Sequence, residues 1–157
     1  MNKEISLGMP ISGKVIGLIE LNDYLFNKKL MGDGAAIIPS DNTVYSPADG
    51  EINLIYETKH ALGIKTKDGI QILIHIGLDT ARLLGKGFTL FVSQGDLVKR
   101  GDKILSFDFE YVSQNSPVET PVVITNSKLI KDITVNYRAQ SINDEFMKIN
   151  INDEGEK

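Results

Sequence analysis

The chain has 157 residues, 41% of them hydrophobic and 24% charged, with a net charge of −4 from 17 basic and 21 acidic side chains and no cysteine. That length suits one domain with a core of its own. Mild acidity without a basic run argues against a nucleic-acid surface, the missing thiols exclude disulfides, thiolate catalysis and zinc–cysteine sites, and no apolar run is long enough to span a membrane.

No apolar stretch follows Lys3, so the opening residues do not read as a signal peptide and leave no room for an amphipathic anchor; the expected location is cytoplasmic. Strands are predicted at residues 15–19, 35–38, 52–56, 70–76, 103–107 and 122–125, where β-branched and aromatic side chains concentrate. Between them lie Gly32-Asp33-Gly34, Pro39-Ser40-Asp41-Asn42, Asp49-Gly50, Lys67-Asp68-Gly69 and Arg100-Gly101-Asp102, residues that tolerate turn geometry. Thr66 to Ile70 reads as a tight hairpin. Helical pattern is thin: a turn or two over Asp108–Gln114, stopped by Pro117, and a second start at Ser127 running to Asp132 with Ser127 as N-cap. The polar tail from Asn150 to Lys157 is expected to fray. The predicted class is all-β, an antiparallel sandwich or barrel in one domain.

One internal echo bears on architecture. Pro10-Ile11-Ser12-Gly13-Lys14-Val15 and Pro47-Ala48-Asp49-Gly50-Glu51-Ile52 share a proline–glycine turn that feeds a strand, and Gln94 to Ile104 is a third related element. Together they predict a duplicated hairpin unit.

The two histidines carry the chemistry. His75 sits in Ile70-Gln71-Ile72-Leu73-Ile74-His75-Ile76-Gly77-Leu78-Asp79-Thr80, and His60 in Tyr56-Glu57-Thr58-Lys59-His60-Ala61-Leu62-Gly63-Ile64, both amid aliphatics. Imidazole titrates near neutrality and is a good nucleophile. A histidine-poor chain that holds two in matching apolar segments points to function rather than to two satisfied core residues.

The chain resembles the glucose-type IIA component of the bacterial phosphoenolpyruvate-dependent sugar phosphotransferase system. The likeness runs from about Pro10 to about Ile149 and rests on Leu30-Met31-Gly32-Asp33-Gly34, Tyr45-Ser46-Pro47-Ala48-Asp49-Gly50, Glu57-Thr58-Lys59-His60-Ala61, His75-Ile76-Gly77-Leu78-Asp79-Thr80 and Thr120-Pro121-Val122-Val123-Ile124-Thr125-Asn126. It implies an antiparallel β-sandwich with the duplicated motif. It implies that His75 is phosphorylated, that His60 is the second active-site histidine, and that Thr58 positions His60. It also implies HPr as phosphoryl donor and a IIB-domain cysteine as acceptor, with no cofactor and no metal ion.

On that footing the remaining residues take expected roles. Leu73, Ile74 and Ile76 would keep water from the phosphohistidine, and His60 would donate to the phosphoryl oxygens. Thr58, two residues from His60 on one strand face, would fix the imidazole tautomer. Gly77 would let the backbone approach the phosphoryl group, and Asp79 would orient the loop or meet a basic residue of a partner. The resemblance implies a docking patch of Asp23, Leu25, Phe26, Leu30, Met31, Tyr56 and Leu73, with an apolar centre and a charged rim. Relatives often carry phenylalanine beside the histidines, where this chain has Leu62, Ile76 and Tyr56. Competing readings are a zinc hydrolase using the histidines and Asp79, a regulatory binding module, and a biotinyl-type carrier. The first lacks a His-x-His pair, the second would not need both histidines, and Lys99 and Lys103 do not stand in the hairpin tip the third requires.

Overall fold

The alternation of side chains along Gln71–His75 sets the plan of the molecule. In the computed structural model, which describes residues 2–152, Ile72 and Ile74 point into a large core while Leu73 joins a second, smaller apolar cluster. A strand buried on both faces must be central to a sheet, and this one is.

Among the described residues, thirteen strands form three antiparallel sheets. In chain order they are β1 (Asn2–Gly8), β2 (Gly13–Ile16), β3 (Asp33–Pro39), β4 (Thr43–Tyr45), β5 (Gly50–Ile55), β6 (Ala61–Thr66), β7 (Gln71–His75), β8 (Phe88–Leu90), β9 (Leu97–Val98), β10 (Lys103–Phe107), β11 (Thr120–Ile124), β12 (Ile130–Val135) and β13 (Glu145–Asn152). The main sheet has seven strands in the order β2-β3-β11-β7-β6-β5-β9, and two three-stranded sheets, β1-β13-β12 and β4-β10-β8, complete the sandwich. The large core joins all three: Leu7 and Ile149, Val44 and Ile104, and Ile37, Ile64 and Val122 are fully buried in it. The all-β sandwich expected from the sequence is the fold observed.

The first two elements of the internal echo correspond to two antiparallel strand pairs that open alike, one joined by a long connection and one by a short turn. Gly13 opens β2 opposite Pro39 of β3, and Gly50 opens β5 opposite Thr66 of β6. A side chain at either glycine would collide with the facing backbone, since a Cβ would stand 2.2 Å from the Ile38 carbonyl oxygen or 2.5 Å from that of Lys65. The same close cross-strand approach explains the same residue twice. The predicted turn at Thr66–Ile70 joins β6 to β7, with Gly69 N–H donating to the Thr66 carbonyl at 2.9 Å.

Helix is confined to short pieces. The predicted turn after Asp108 is α2 (Phe109–Asn115), with the Asp108 carboxylate accepting from Tyr111 N–H as its N-cap. Three expectations need correction, and one element was not predicted. Residues 15–19 are strand only to Ile16, and a 3-10 turn follows at Leu18–Glu20, which buries Leu18. A four-residue helix, α1 (Tyr24–Asn27), was not legible; it is capped by Asp23 and buries one side chain, too little for a periodic pattern. Ser127 starts no helix reaching Asp132: a 3-10 turn covers Ser127–Leu129 after Asn126, and β12 begins at Ile130 because the chain there pairs with β13. Residues 150–152 do not fray; they finish β13 between β1 and β12, and Ile151 is fully buried. The rest of the predicted tail, 153–157, lies outside the described residues.

Candidate active site

The smaller apolar cluster marks the working face of the main sheet. Ile16, Ala36, Ala61, Leu73 and Val123 present it from five strands, and Leu18, Leu21 and Phe26 cover it from the segment between β2 and β3. That cover stops short of the ends of β6 and β7. A cleft of about 370 Å³ opens there, lined by Asp23, Leu25, Phe26, Met31, Tyr56, Glu57, Thr58, His60, His75, Asp79, Thr80 and Ala81.

The strand ladder brings the two histidines together. His75 ends β7 and pairs in register with Ala61, the first residue of β6, so His60 precedes it by one position on the neighbouring strand. Ile76 N–H donates to the His60 carbonyl at 2.7 Å, which extends the ladder past the last paired residues. The two rings meet edge to face with centroids 4.7 Å apart.

Each ring is held at its Nδ1. His75 Nδ1 lies 2.7 Å from the Gly77 carbonyl oxygen. A carbonyl only accepts, so Nδ1 carries the hydrogen and Nε2 keeps the lone pair. His60 Nδ1 lies 2.8 Å from the Thr58 hydroxyl, which can donate or accept. His60 itself is 1% exposed, whereas His75 is half-buried. Burial, with a smaller contribution from neighbouring His75, pushes the His60 imidazole down to about 4 from an ordinary 6.5, against the opposing effect of the Thr58 backbone. Burial likewise holds His75 below the ordinary value, opposed by the Gly77 carbonyl and by the charge of Asp23. Both rings are therefore neutral at pH 7, and a neutral His75 offers its Nε2 lone pair.

Thr58 reaches His60 by a different route from the one expected. It stands in the turn between β5 and β6 rather than on a strand face, and Lys59, at φ 62°, bends the chain so that both side chains converge. The residues expected to shield His75 fall on both faces of the sheet, Leu73 on the histidine side and the two isoleucines on the other. Ile74 and Ile76 face the large core; the rings beside His75 are Phe26, edge-on at 5.1 Å, and Tyr56 at 6.3 Å. Tyr56 also meets His60 edge-on at 5.2 Å.

A bulge puts Tyr56 there. Ile52 pairs with Ile64, but Leu54 pairs with Gly63, so Asn53 is an extra residue in β5. By strict alternation from buried Ile52, Tyr56 would point into the large core; the inserted residue turns it to the histidine face. Nothing in residues 50–56 signals that shift except a polar side chain within an apolar run.

The loop after His75 is tightly bound. Gly77 has φ 75°, and a Cβ there would lie 2.6 Å from Thr80 Cγ2 and 2.7 Å from the Pro117 carbonyl oxygen. Glycine is thus demanded by the backbone and its neighbours, while its carbonyl serves His75. Asp79 lines the cleft at φ 57° and pairs with Arg82 at 3.2 Å.

The expected patch divides in two. Leu25 and Leu30 are 50% and 60% exposed beside the cleft segment, and Met31 and Tyr56 are partly buried against the small cluster. Phe26 and Leu73 are each 3% exposed: Phe26 offers an edge to His75, and Leu73 is packed under the cover. Leu73 therefore supports the surface without forming it. Asp23 has a local duty as well, since its carboxylate accepts from Leu25 N–H at 3.0 Å and Phe26 N–H at 3.3 Å and so fixes the cover. Among the described residues, no group of three or more His, Cys, Asp or Glu side chains is placed to hold a metal ion, and no helix is long and apolar enough to cross a membrane.

Residues 5–130 match the family model of the phosphoenolpyruvate-dependent sugar phosphotransferase system, EIIA 1. The glucose-specific EIIA component of the PTS system from Bacillus cereus is 44% identical over 149 residues, covering 93% of this chain and 90% of that protein. Its counterpart from Oceanobacillus iheyensis is 43% identical over 132 residues, covering 83% and 80%. Among solved structures, the glucose permease IIA from Mycoplasma capricolum superposes with a TM-score of 0.88 at 36% identity, covering 93% of this chain and 96% of that one.

Proposed function

The chain belongs to the EIIA 1 family of the phosphoenolpyruvate-dependent sugar phosphotransferase system and is a phosphocarrier of that system; from that premise we propose that His75 takes the phosphoryl group from phospho-HPr and yields it to a cysteine of a IIB domain, in the cytoplasm. The observation that carries this reading is the His75 Nδ1 to Gly77 carbonyl hydrogen bond of 2.7 Å. It leaves Nε2 as the nucleophilic nitrogen of a ring kept neutral by burial.

In the first half-reaction the Nε2 lone pair attacks phosphorus. The Nε2–P bond forms as the donor's N–P bond breaks, and the electron pair returns to the donor imidazole. In the second, a thiolate attacks phosphorus, an S–P bond forms, and the pair returns to Nε2. The N–P bond keeps a high transfer potential, which suits a group that is to be passed on. Charge builds on the equatorial oxygens in both steps, so donors matter more than a base. His60 supplies one: with Thr58 donating to its Nδ1, Nε2 bears the hydrogen and faces the phosphoryl group. A dianionic phosphoryl group beside it favours the cationic imidazole, and Thr58 then accepts from Nδ1. Exposed Leu25 and Leu30, rimmed by Asp23 and Asp79, form the docking surface for both protein partners. As a transfer between protein side chains, the activity is that of a phosphotransferase. Family membership favours this reading over a zinc hydrolase.

The test is incubation with phosphoenolpyruvate, the general relay enzyme and HPr. One acid-labile phosphoryl group is expected per chain, absent from His75→Ala. Label retained by a folded His75→Ala protein would overturn the assignment.

A further inference from the structure

Thr80 has no part in the chemistry above, yet it is fully buried at the edge of the cleft. Its hydroxyl donates to the Ile76 carbonyl at 2.6 Å, and its Cγ2 methyl occupies the space beside Gly77 that any side chain there would need. The backbone from Ile76 to Leu78 is tied at three polar atoms besides the Gly77 carbonyl. Ile76 N–H donates to the His60 carbonyl at 2.7 Å, the Ile76 carbonyl accepts from Thr80, and Leu78 N–H donates to the Pro117 carbonyl at 3.0 Å. Between these ties the Gly77 carbonyl is left to His75 Nδ1.

That tie works against an intrinsic preference. A free neutral imidazole favours its hydrogen on Nε2, which would leave the wrong nitrogen basic. A carbonyl fixed against Nδ1 reverses the preference only while its position holds. Thr80 opens a 3-10 turn, Thr80–Leu83, but its hydroxyl bonds backward to Ile76 rather than within the turn, and Asp79, the residue before the turn, makes no side-chain cap.

Resting on the phosphocarrier reading, we propose that Thr80 is a positioning residue for phosphoryl transfer: by clamping the Ile76–Gly77 turn it holds the Gly77 carbonyl on His75 Nδ1 and keeps Nε2 as the nucleophile. The hydroxyl sets the turn and the methyl packs it.

Two variants test this. Thr80→Val keeps the branched shape and loses the hydroxyl; Thr80→Ser keeps the hydroxyl. Nitrogen NMR of the unphosphorylated chain reads the tautomer of His75, and phospho-HPr labelling reads the rate. The wild-type chain and Thr80→Ser should hold the hydrogen on Nδ1. Thr80→Val should shift it toward Nε2 and slow labelling by roughly 10–100-fold, the usual cost of losing an outer-shell partner of a functional histidine. A folded Thr80→Val protein with the wild-type tautomer and rate would overturn the proposal. If Thr80→Val does not fold, Thr80→Ser decides: a lost tautomer there would mean that packing and not the hydroxyl sets the turn, which also overturns it. Failure of the wild-type chain to take label would instead overturn the phosphocarrier reading, and the nitrogen spectra would still report whether Thr80 sets the tautomer.

Discussion

His60 and His75 occupy adjacent strands and touch ring to ring, but the chain holds them by unlike means. His75 leans on a backbone carbonyl, a partner that can only accept, at the end of a strand and half in solvent. His60, itself buried, leans on a hydroxyl, a partner of either sense, at the end of a partly exposed turn. A carbonyl locks one tautomer, which suits a nucleophile that must present the same lone pair in every cycle. A hydroxyl permits the ring to gain and lose a proton without breaking its tie, which suits a group that answers charge as it comes and goes. In the proposed mechanism two identical side chains take two roles from the atoms behind them.

The sharpest way to break this contrast is to remove the ring that responds to charge. His60→Gln retains a neutral amide donor and cannot become a cation. It should still be labelled by phospho-HPr, because the nucleophile and its carbonyl are intact. Onward transfer brings an anionic thiolate toward a charged phosphoryl group, and loss of a positioned donor there costs about 3–4 kcal/mol, or roughly 10²–10³ in rate. Equal losses in the two half-reactions would reduce His60 to a structural residue.

A smaller effect is expected in stability. A histidine whose pKa is lower in the folded chain takes up its proton more readily when unfolded, so stability falls as pH falls. The contribution of His60 is complete above about 6.5 and lost as pH drops toward about 4; His75 acts in the same direction. The urea midpoint should decrease between pH 7 and pH 5, and less so in His60→Gln. An equal decrease in both proteins would show that the buried imidazole does not set the dependence.

The strongly patterned segments were legible in the sequence. The run Ile70–Ile76 read as a strand and is one over Gln71–His75, and the hairpin at Thr66–Ile70 followed from Asp68-Gly69. The two histidines stood out by scarcity and context, and the family by its motif. What escaped depended on phase and distant packing. Nearness in sequence assigned Ile74 and Ile76 to the site beside Leu73, but strand alternation turns them to the large core and leaves Leu73 and His75 on the opposite face. Tyr56 reached it through a bulge of one residue, which leaves almost no compositional trace. Leu73 looked like surface because nothing local shows that residues 18–26 would cover it. β12 and β13 were missed because their strand state comes from pairing across the chain ends rather than from local propensity.

The central claim, that the Gly77 carbonyl selects the reactive nitrogen of His75, has one direct measurement. The phosphorylated chain, labelled with nitrogen-15 in histidine, should show by NMR a single phosphorus–nitrogen coupling to His75 Nε2, with the hydrogen remaining on Nδ1. Phosphorus coupled to His75 Nδ1, or to either nitrogen of His60, would contradict it.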